Sequence, residues 1–488
     1  MDRRKINDYE RGSEALAVLH SLLSYGDNLH YEKFSNGSVK CIEDEVPFGL
    51  PDGWAWVRLG NLSVAIQYGL SNSAEPQGTH RLLRITDIQD GKVDWNAVPF
   101  TTVNDPEAYL LKTGDIVFTR TGATVGKSFL ITETPYPSVY ASYLIRIRLL
   151  GSLSPEYIYQ FFDSACYWSQ ITDKSVGVGQ PNCNGTSLKE LFIPLPPISE
   201  QLRIVPTAQA LLAYVAKIDA EKKSLLSIIM ATKSKILDLA SRGQLIPQDP
   251  NDEPASVLLE RIRAEKEELI KQGKIKRDKK ESIIFRGEDN SYYLNNGQTT
   301  VDINDDLPFD IPDSWRWVRL KDVFIINPRN KLDDDLDVSF IPMPLIDDGY
   351  SGKHATEVRH WKEVKNGFTH FAEGDVGVAK ITPCFENRKS TVFENLTNGY
   401  GAGTTELHVL RPFGNNIFVQ YLLAYIKSDY FVEKGKQTFT GDVGQQRISK
   451  AYVESAYFPL PPVKEQERIV QQIGIIFEFL NMIMDALS

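Results

Sequence analysis

Cysteine is scarce in this chain of 488 residues, and the four present (Cys41, Cys166, Cys183 and Cys384) are far apart with no CxxC spacing. That pattern excludes both a disulfide framework and a zinc ribbon, and points to a reducing, cytoplasmic setting. Long hydrophobic runs are lacking too. No stretch approaches the ~20 apolar residues needed to cross a bilayer, and MDRRKINDYERG at the start has charges of both signs with no apolar h-region behind it. The expectation is neither export nor membrane. Positive charge is in deficit: 54 Lys and Arg against 64 Asp and Glu leave a net charge of −10. A phosphate-binding partner therefore needs a local basic face, or help from another subunit, because the chain as a whole offers no cationic field.

Catalytic motifs are also missing. No GxxxxGK(S/T) and no Gly-rich cofactor loop after a strand is present, and NPRN at 327–330 is not the NPPY-type clamp of an adenine methyltransferase. Pro51-Asp52 or Pro312-Asp313 with Glu363 and Lys365 share no convincing nuclease geometry, and His354, His360 and His370 follow no standard metal spacing. The site residues expected are thus binding residues, with none assigned to catalysis or to a metal.

What is there is a repeat. LPDGWAWVRLGNL (50–62) returns as IPDSWRWVRLKDV (311–323), GDIVFTR (114–120) as GDVGVAK (374–380), and FIPLPPISEQLRIV (192–205) as YFPLPPVKEQERIV (457–470). GDNLHYEKF near Gly26 likewise parallels GEDNSYYLN near Gly287. The offset stays between 260 and 265, so the repeat is a duplicated domain rather than a solenoid unit. Between the matching ends the interiors diverge, which suggests two similar scaffolds that read different things; drift after duplication alone is the alternative. Short β-branched and aromatic runs such as DIVFTR and YLIRIRLL, broken by Gly, Pro, Asn and Asp, predict a mixed α/β (α+β) fold with strand-rich cores. One helix is expected in SPEYIYQFFDSACYWSQI and one in NIFVQYLLAYIKSDYFVEK. Trp54, Trp56, Trp315 and Trp317 alternate in short strands and are assigned to the cores.

After each PLPP, whose prolines stiffen the exit from the sheet and aim the chain beyond it, comes a long helical pattern. Leu211, Val215, Ile218, Leu225, Ile229, Thr232, Ile236 and Leu239 fall on steps of four and three, with Lys222 filling the one gap. Ile469, Ile473, Ile476, Leu480, Ile483 and Leu487 keep the same steps. The economical inference is that the two stripes pack on each other within the chain, as an antiparallel or parallel pair; an intermolecular coiled coil is the alternative. A helix from Glu200 to Ser241 would be ~60 Å long, a ruler holding two heads one to two turns of B-DNA apart, with Gly243 as C-cap and Pro247 as breaker. A second amphipathic run (254–273) and the basic stretch KIKRDKK (274–280) come next. The second long helix ends at Ser488, the counterpart of Lys223, so some twenty residues of the first lack an equivalent, and ALAVLHSLL near the start is a candidate to fill that gap. The divisions expected are an N-terminal extension with a short helix (1–45), a first recognition domain (46–197), a central helix (198–245), a second helix with basic linker (246–306), a second recognition domain (307–462) and a shortened C-terminal helix (463–488).

A duplicated domain with GWxWVRL, an internal GD(I/V) strand, a G-x-GQ loop and a closing PLPPxxEQxRI before a long helix resembles the specificity subunit of Type I restriction-modification systems. The linker GQLIPQDPNDEPASVLLERIRAEKE (243–267) is similar to the central region of that family. The resemblance implies two target-recognition domains related by a pseudo-two-fold and joined by an antiparallel-type coiled coil. It implies that each domain reads one half of a bipartite, asymmetric site in double-stranded DNA while the helices set the spacing and dock methyltransferase subunits. S-adenosylmethionine, ATP and Mg are then expected in the partner methyltransferase and motor-nuclease subunits, not in this chain. A non-catalytic two-headed scaffold for protein partners is the reading from another class, and a truncated or recombined specificity subunit is a further alternative.

Base and phosphate contacts need donors and amides on loops. In the first domain the candidates are Thr119, Arg120, Thr121 and Lys127 on TRTGATVGK, then Ser175, Gln180 and Asn182 on SVGVGQPNCNGTS. In the second they are Lys380, Thr382, Arg388 and Lys389, then Thr440, Gln445, Gln446 and Arg447 on TFTGDVGQQRIS. The alternative for each loop is an ordinary hairpin or connection with surface cations.

Overall fold

The computed structural model describes residues 29–33, 37–89, 91–174, 182–277, 282–414, 416–442 and 444–487. The N-terminal run ALAVLHSLL lies outside them. The chain divides into two units, Met1–Ile218 and Asp219–Ser488, with the boundary inside the helix Ile198–Ser241.

In the first unit, strand Ala55–Arg58 of the GWxWVRL motif pairs antiparallel with Phe192–Leu195 of the PLPP motif, Ala55 opposite Leu195 and Arg58 opposite Phe192. The two repeated motifs are thus β partners, and together they close the domain between its first and last strands. Behind them lies a four-stranded antiparallel sheet in the order Ser128–Leu130, Ile116–Thr119, Leu144–Leu149, Ser63–Tyr68. A second sheet runs Ser138–Tyr140, His80–Leu83, Phe100–Thr101, its first pair parallel. Helices Pro155–Phe161 and Ala165–Lys174 help cover the core.

The second unit repeats this plan. Arg316–Arg319 pairs with Tyr457–Leu460, and the antiparallel sheet runs Ser390–Val392, Val376–Ala379, Leu407–Pro412, Phe324–Ile326. The parallel pair recurs as Asp337–Ile341 with Tyr400–Gly403, flanked here by Glu357–His360 and Thr369–Ala372. The interiors that share no readable sequence therefore share a topology. A strand core asks only for alternating burial, which many sequences satisfy.

The repeated GD motif has a specific task. Gly114 and Gly374 take positive φ (+89° and +80°), and the next Asp accepts the N–H three residues back, Lys112 to Asp115 at 2.8 Å and Ala372 to Asp375 at 2.7 Å. The same carboxylates, each 2% exposed, grip Arg148 at 2.6 Å and Arg411 at 2.7 Å on the central strand. Burial pushes the Asp375 carboxyl up, against the opposing bond and charge of Arg411.

The PLPP elbow is held by the Glu-Gln just beyond it. Gln201 accepts the N–H of Ser154 at 3.1 Å and donates to the Pro196 carbonyl at 2.9 Å; Gln466 does the same with Phe418 (2.9 Å) and Pro461 (2.9 Å). Trp54 donates its indole N–H to Glu200 at 3.2 Å, as Trp315 does to Glu465 at 3.0 Å. Trp56, Trp315 and Trp317 are buried, as expected, while Trp54 is half-buried. The prolines remove donors and the glutamine arms supply the bonds that fix the turn.

Helix Ile198–Ser241 has 44 residues and ends in a Schellman cap: Gly243 at φ +67°, its N–H on the Ala240 carbonyl and that of Gln244 on Leu239. In the second unit its last turns pack against Val463–Leu487. Ile236, Leu237 and Ala240 join Ile469 and Ile473 in one core, and Lys233 reaches Asn481 at 2.6 Å, so the two segments run antiparallel. The matched seam is covered only from Ile229 onward. Leu211 (61%), Val215 (55%) and Ile218 (62%) stay exposed, contrary to the expectation that both stripes are buried along their length. Helix Ala255–Lys271 buries Ala255, Leu258, Leu259 and Ile262 in the same core. Each helix expected after the central strand is two: Ser164 and Ser428 interrupt them, and Ser428 caps the second piece by accepting the Phe431 N–H. By length and composition Val463–Leu487 meets the test for a membrane-crossing helix, with mean hydropathy 1.3, contrary to the expectation that no stretch does; scattered Glu, Gln and Asn hide it from a count of unbroken apolar residues. Its residues Ile469 and Ile473 are committed to the core of the second unit.

Candidate nucleic-acid interface

In each unit the two candidate loops are joined. Thr121 bridges Asn182, and the Cys183 N–H donates to the Arg120 carbonyl at 3.0 Å. In the second unit Ile381 bridges Arg447, Thr382 N–H meets the Gln446 carbonyl at 2.9 Å and Ile448 N–H meets the Lys380 carbonyl at 3.0 Å. A third segment completes each site. The turn entering the central strand offers its carbonyl to the first loop, Tyr143 to Arg120 at 3.2 Å and Glu406 to Lys380 at 3.0 Å. Arg120 with Lys380, Tyr143 with Glu406 and Asn182 with Arg447 are therefore equivalent positions carrying different side chains.

In the first unit the Arg120 guanidinium stacks over the Tyr68 ring at 4.9 Å, and Tyr143 beside it is 63% exposed. Lys127 is exposed at the far end of the glycine turn, where Gly122 (+77°) and Gly126 (+89°) need positive φ and a Cβ on Gly126 would strike the Trp168 ring at 2.6 Å. Arg120 Nε and Asn182 Oδ1 are buried without a hydrogen-bond partner, as is Thr382 Oγ1 in the second unit. Buried polar atoms are normally satisfied, so these three are exceptions, and they gather at the two loop pairs. In the second unit Thr440 and Gln445 are exposed, Gln446 is half-buried, and Arg447 forms a two-bond pair with Glu406 at 2.9 and 2.9 Å. That guanidinium holds the Glu406 carboxyl below its usual range.

Four expected contact residues are turned inward. Thr119 (5% exposed) lies in the central sheet and Thr382 (8%) beneath the loop, so neither hydroxyl is presented. Arg388 donates to the Lys427 carbonyl at 3.0 Å and pairs with Asp429, while Lys389 donates to the Ile346 carbonyl at 2.8 Å. Their charges serve the packing of the second unit. Beside them Lys427 is buried on the carbonyls of Gly349 (2.6 Å) and Arg388 (2.8 Å); burial, then the Arg388 charge, pulls its ammonium down to about 7. Ser175 and Gln180 lie outside the described residues. Sequence reasoning missed Tyr68, on the strand Ser63–Tyr68, and Tyr143 and Glu406, on the turns entering the central strands; the matched frames give the offset that would align Tyr143 with Glu406. In the basic linker, Arg277 pairs with Glu267 at 2.9 Å. Among the described residues no group of three His, Cys, Asp or Glu side chains is placed to hold a metal ion.

Two copies of one α/β scaffold, each with a three-segment loop site of its own chemistry and each followed by a long helix, define a duplicated recognition protein. The chain belongs to the Type I restriction modification DNA specificity domain family, whose model matches residues 53–228 and 312–484. It is 48% identical over 243 residues to the Type I restriction enzyme EcoAI specificity subunit of Escherichia coli, and 46% identical over 243 residues to the EcoEI specificity subunit. These matches take in 50% of this chain and 38% of each relative. A putative type I restriction enzyme MjaX specificity subunit of Methanocaldococcus jannaschii is 22% identical over 89% of both chains. The HsdS subunit of Thermoanaerobacter tengcongensis shares the fold, with a TM-score of 0.52 and 18% identity across 91% of this chain and 94% of that one.

Proposed function

We propose that the chain is the DNA-specificity subunit of a Type I restriction-modification complex. Each unit reads one half of a bipartite, asymmetric site in double-stranded DNA, and the helices set the half-site spacing and dock methyltransferase subunits. The observation that carries this is the doubled loop site: one backbone scaffold presents Arg120, Tyr143 and Asn182 in one unit and Lys380, Glu406 and Arg447 in the other. Direct readout needs such a constant frame with variable donors and acceptors. The exposed stripe Leu211, Leu212, Tyr214, Val215 and Ile218 supports docking, because large apolar patches on a folded surface mark partner sites. Catalysis then belongs to the partners: the methyltransferase subunits with S-adenosylmethionine, and a motor-nuclease subunit with ATP and Mg, all in the cytoplasm.

The test is methylome sequencing of cells carrying the partner genes with and without this gene. A bipartite methyladenine motif with unlike halves should appear only when the gene is present. An identical methylome in the two strains would remove the proposal.

A further inference from the structure

The Glu406–Arg447 pair differs from the other surface ion pairs in where it lies, at the meeting of the three site segments. Arg447 Nε donates to Glu406 Oε2 and Nη2 to Oε1, both at 2.9 Å, while Nη1 donates to the Gln445 carbonyl at 2.8 Å. A guanidinium has five N–H groups. Three are taken by these contacts, which leaves one on each terminal nitrogen. Two parallel donors at that spacing match O6 and N7 of guanine in the major groove, the pairing Arg makes through its rigid fork and Lys cannot reproduce. Both side chains remain partly open to solvent, at 39% and 26%, so the pair is not a core contact. It sits where the three site segments meet: Arg447 bridges Ile381 and Thr440, and Glu406 gives its carbonyl to Lys380. The first unit has Asn182 and Tyr143 at these positions, so it cannot build the fork.

We propose that Arg447 reads a guanine in the half-site of the second unit, and that Glu406 is the positioning residue that holds its fork in register. An unsupported arginine samples many rotamers, whereas the carboxylate fixes one orientation before DNA arrives, and less freedom is lost on binding. This rests on the DNA-reading function proposed above and names the base class one half-site must contain.

The experiment uses the full chain assembled with its methyltransferase subunits, acting on a plasmid library with randomised half-site bases read by single-molecule sequencing. Arg447→Gln and Arg447→Lys should each lower the preference for guanine at one position of one half-site by about 5- to 150-fold. All other positions, including the whole half-site of the first unit, should keep their base frequencies. Glu406→Gln should relax that same position by a smaller factor. If Arg447→Lys kept the full preference, the residue would be a point charge on phosphate and the proposal wrong. An unchanged motif in Arg447→Gln, or equal weakening at all positions, would also overturn it while leaving the bipartite motif, and with it the DNA-reading function, intact. If the unaltered complex placed no bipartite motif, both readings would fall together.

Discussion

Gln466→Ala is expected to unfold the second unit's elbow at a cost set by two hydrogen bonds. The side chain is fully buried, accepts the Phe418 N–H at 2.9 Å and donates to the Pro461 carbonyl at 2.9 Å. Truncation leaves a buried donor and a buried acceptor unmatched, each costing ~1–3 kcal/mol, so the expected loss is about 2–6 kcal/mol. Set against a whole-domain stability of ~5–15 kcal/mol, that is a large fraction. Gln201→Ala should cost a similar amount in the first unit, where the same arms reach Ser154 and Pro196. Urea unfolding gives the loss, and amide exchange at Phe418 or Ser154 assigns it to its unit. Gln471→Ala, on the exposed side of the same C-terminal helix, should stay within about 0.5 kcal/mol of the parent. Losses below about 1 kcal/mol at both buried glutamines would refute the reading of the elbow as a hydrogen-bonded clamp.

Glu465→Gln tests the neighbouring residue through pH. Burial raises the Glu465 carboxyl above its ordinary value of 4.5, against the opposing bonds from Trp315 and Gln248. The folded state thus holds the proton more tightly. The carboxyl's contribution is full below the unfolded value and is lost as pH rises through the folded one. The amide keeps an acceptor for Trp315 and cannot ionise, so the variant should be the more stable at neutral pH and lose that advantage as pH falls through the raised folded value, the loss being complete below the ordinary value of 4.5; a gain that grew on acidification would reverse the sign. Gly69→Ala should disrupt the first unit, since a Cβ there would lie 2.2 Å from the Tyr140 carbonyl oxygen and 2.4 Å from that of Ala141. The cost should be at least the ~1–3 kcal/mol of overpacking, read in thermal melts, and a neutral substitution would contradict the close approach of those strands. The triple change Leu211→Ser, Val215→Ser and Ile218→Ser should leave melting unchanged but reduce co-purification of the methyltransferase subunits; unimpaired assembly would free this stripe from a docking role.

How much of the fold and the site was legible in the sequence depends on whether the information was local. The duplicated frames, the tryptophan cores, the capping Gly243 and the two long helices could be read, because repeats, spacing and cap chemistry lie along the chain. Strand pairing could not: that GWxWVRL and PLPP are β partners depends on a register that no local pattern encodes. The break at Ser428 was hidden because helical spacing of apolar residues continues through it, while a serine cap acts on a single residue. The seam was half right, since a heptad pattern marks an apolar stripe but not what covers it. At the candidate site the loops were found and their union was not. Thr119, Thr382, Arg388 and Lys389 have the chemistry of readers yet face inward, because residue type cannot tell a cation on DNA from one on a buried carbonyl. Tyr143 and Glu406 were passed over for the converse reason: neither looks like a reader until the turn places it against Arg120 or Lys380.

The most direct measurement exchanges residues 46–196 for the corresponding domain of another family member with a known, different half-site and sequences the methylome of cells expressing the chimera with the methyltransferase subunits. One half of the bipartite motif should become the donor's, with the other half and the spacing unchanged. A change in both halves, or in neither, would contradict two independent reading units built on one scaffold.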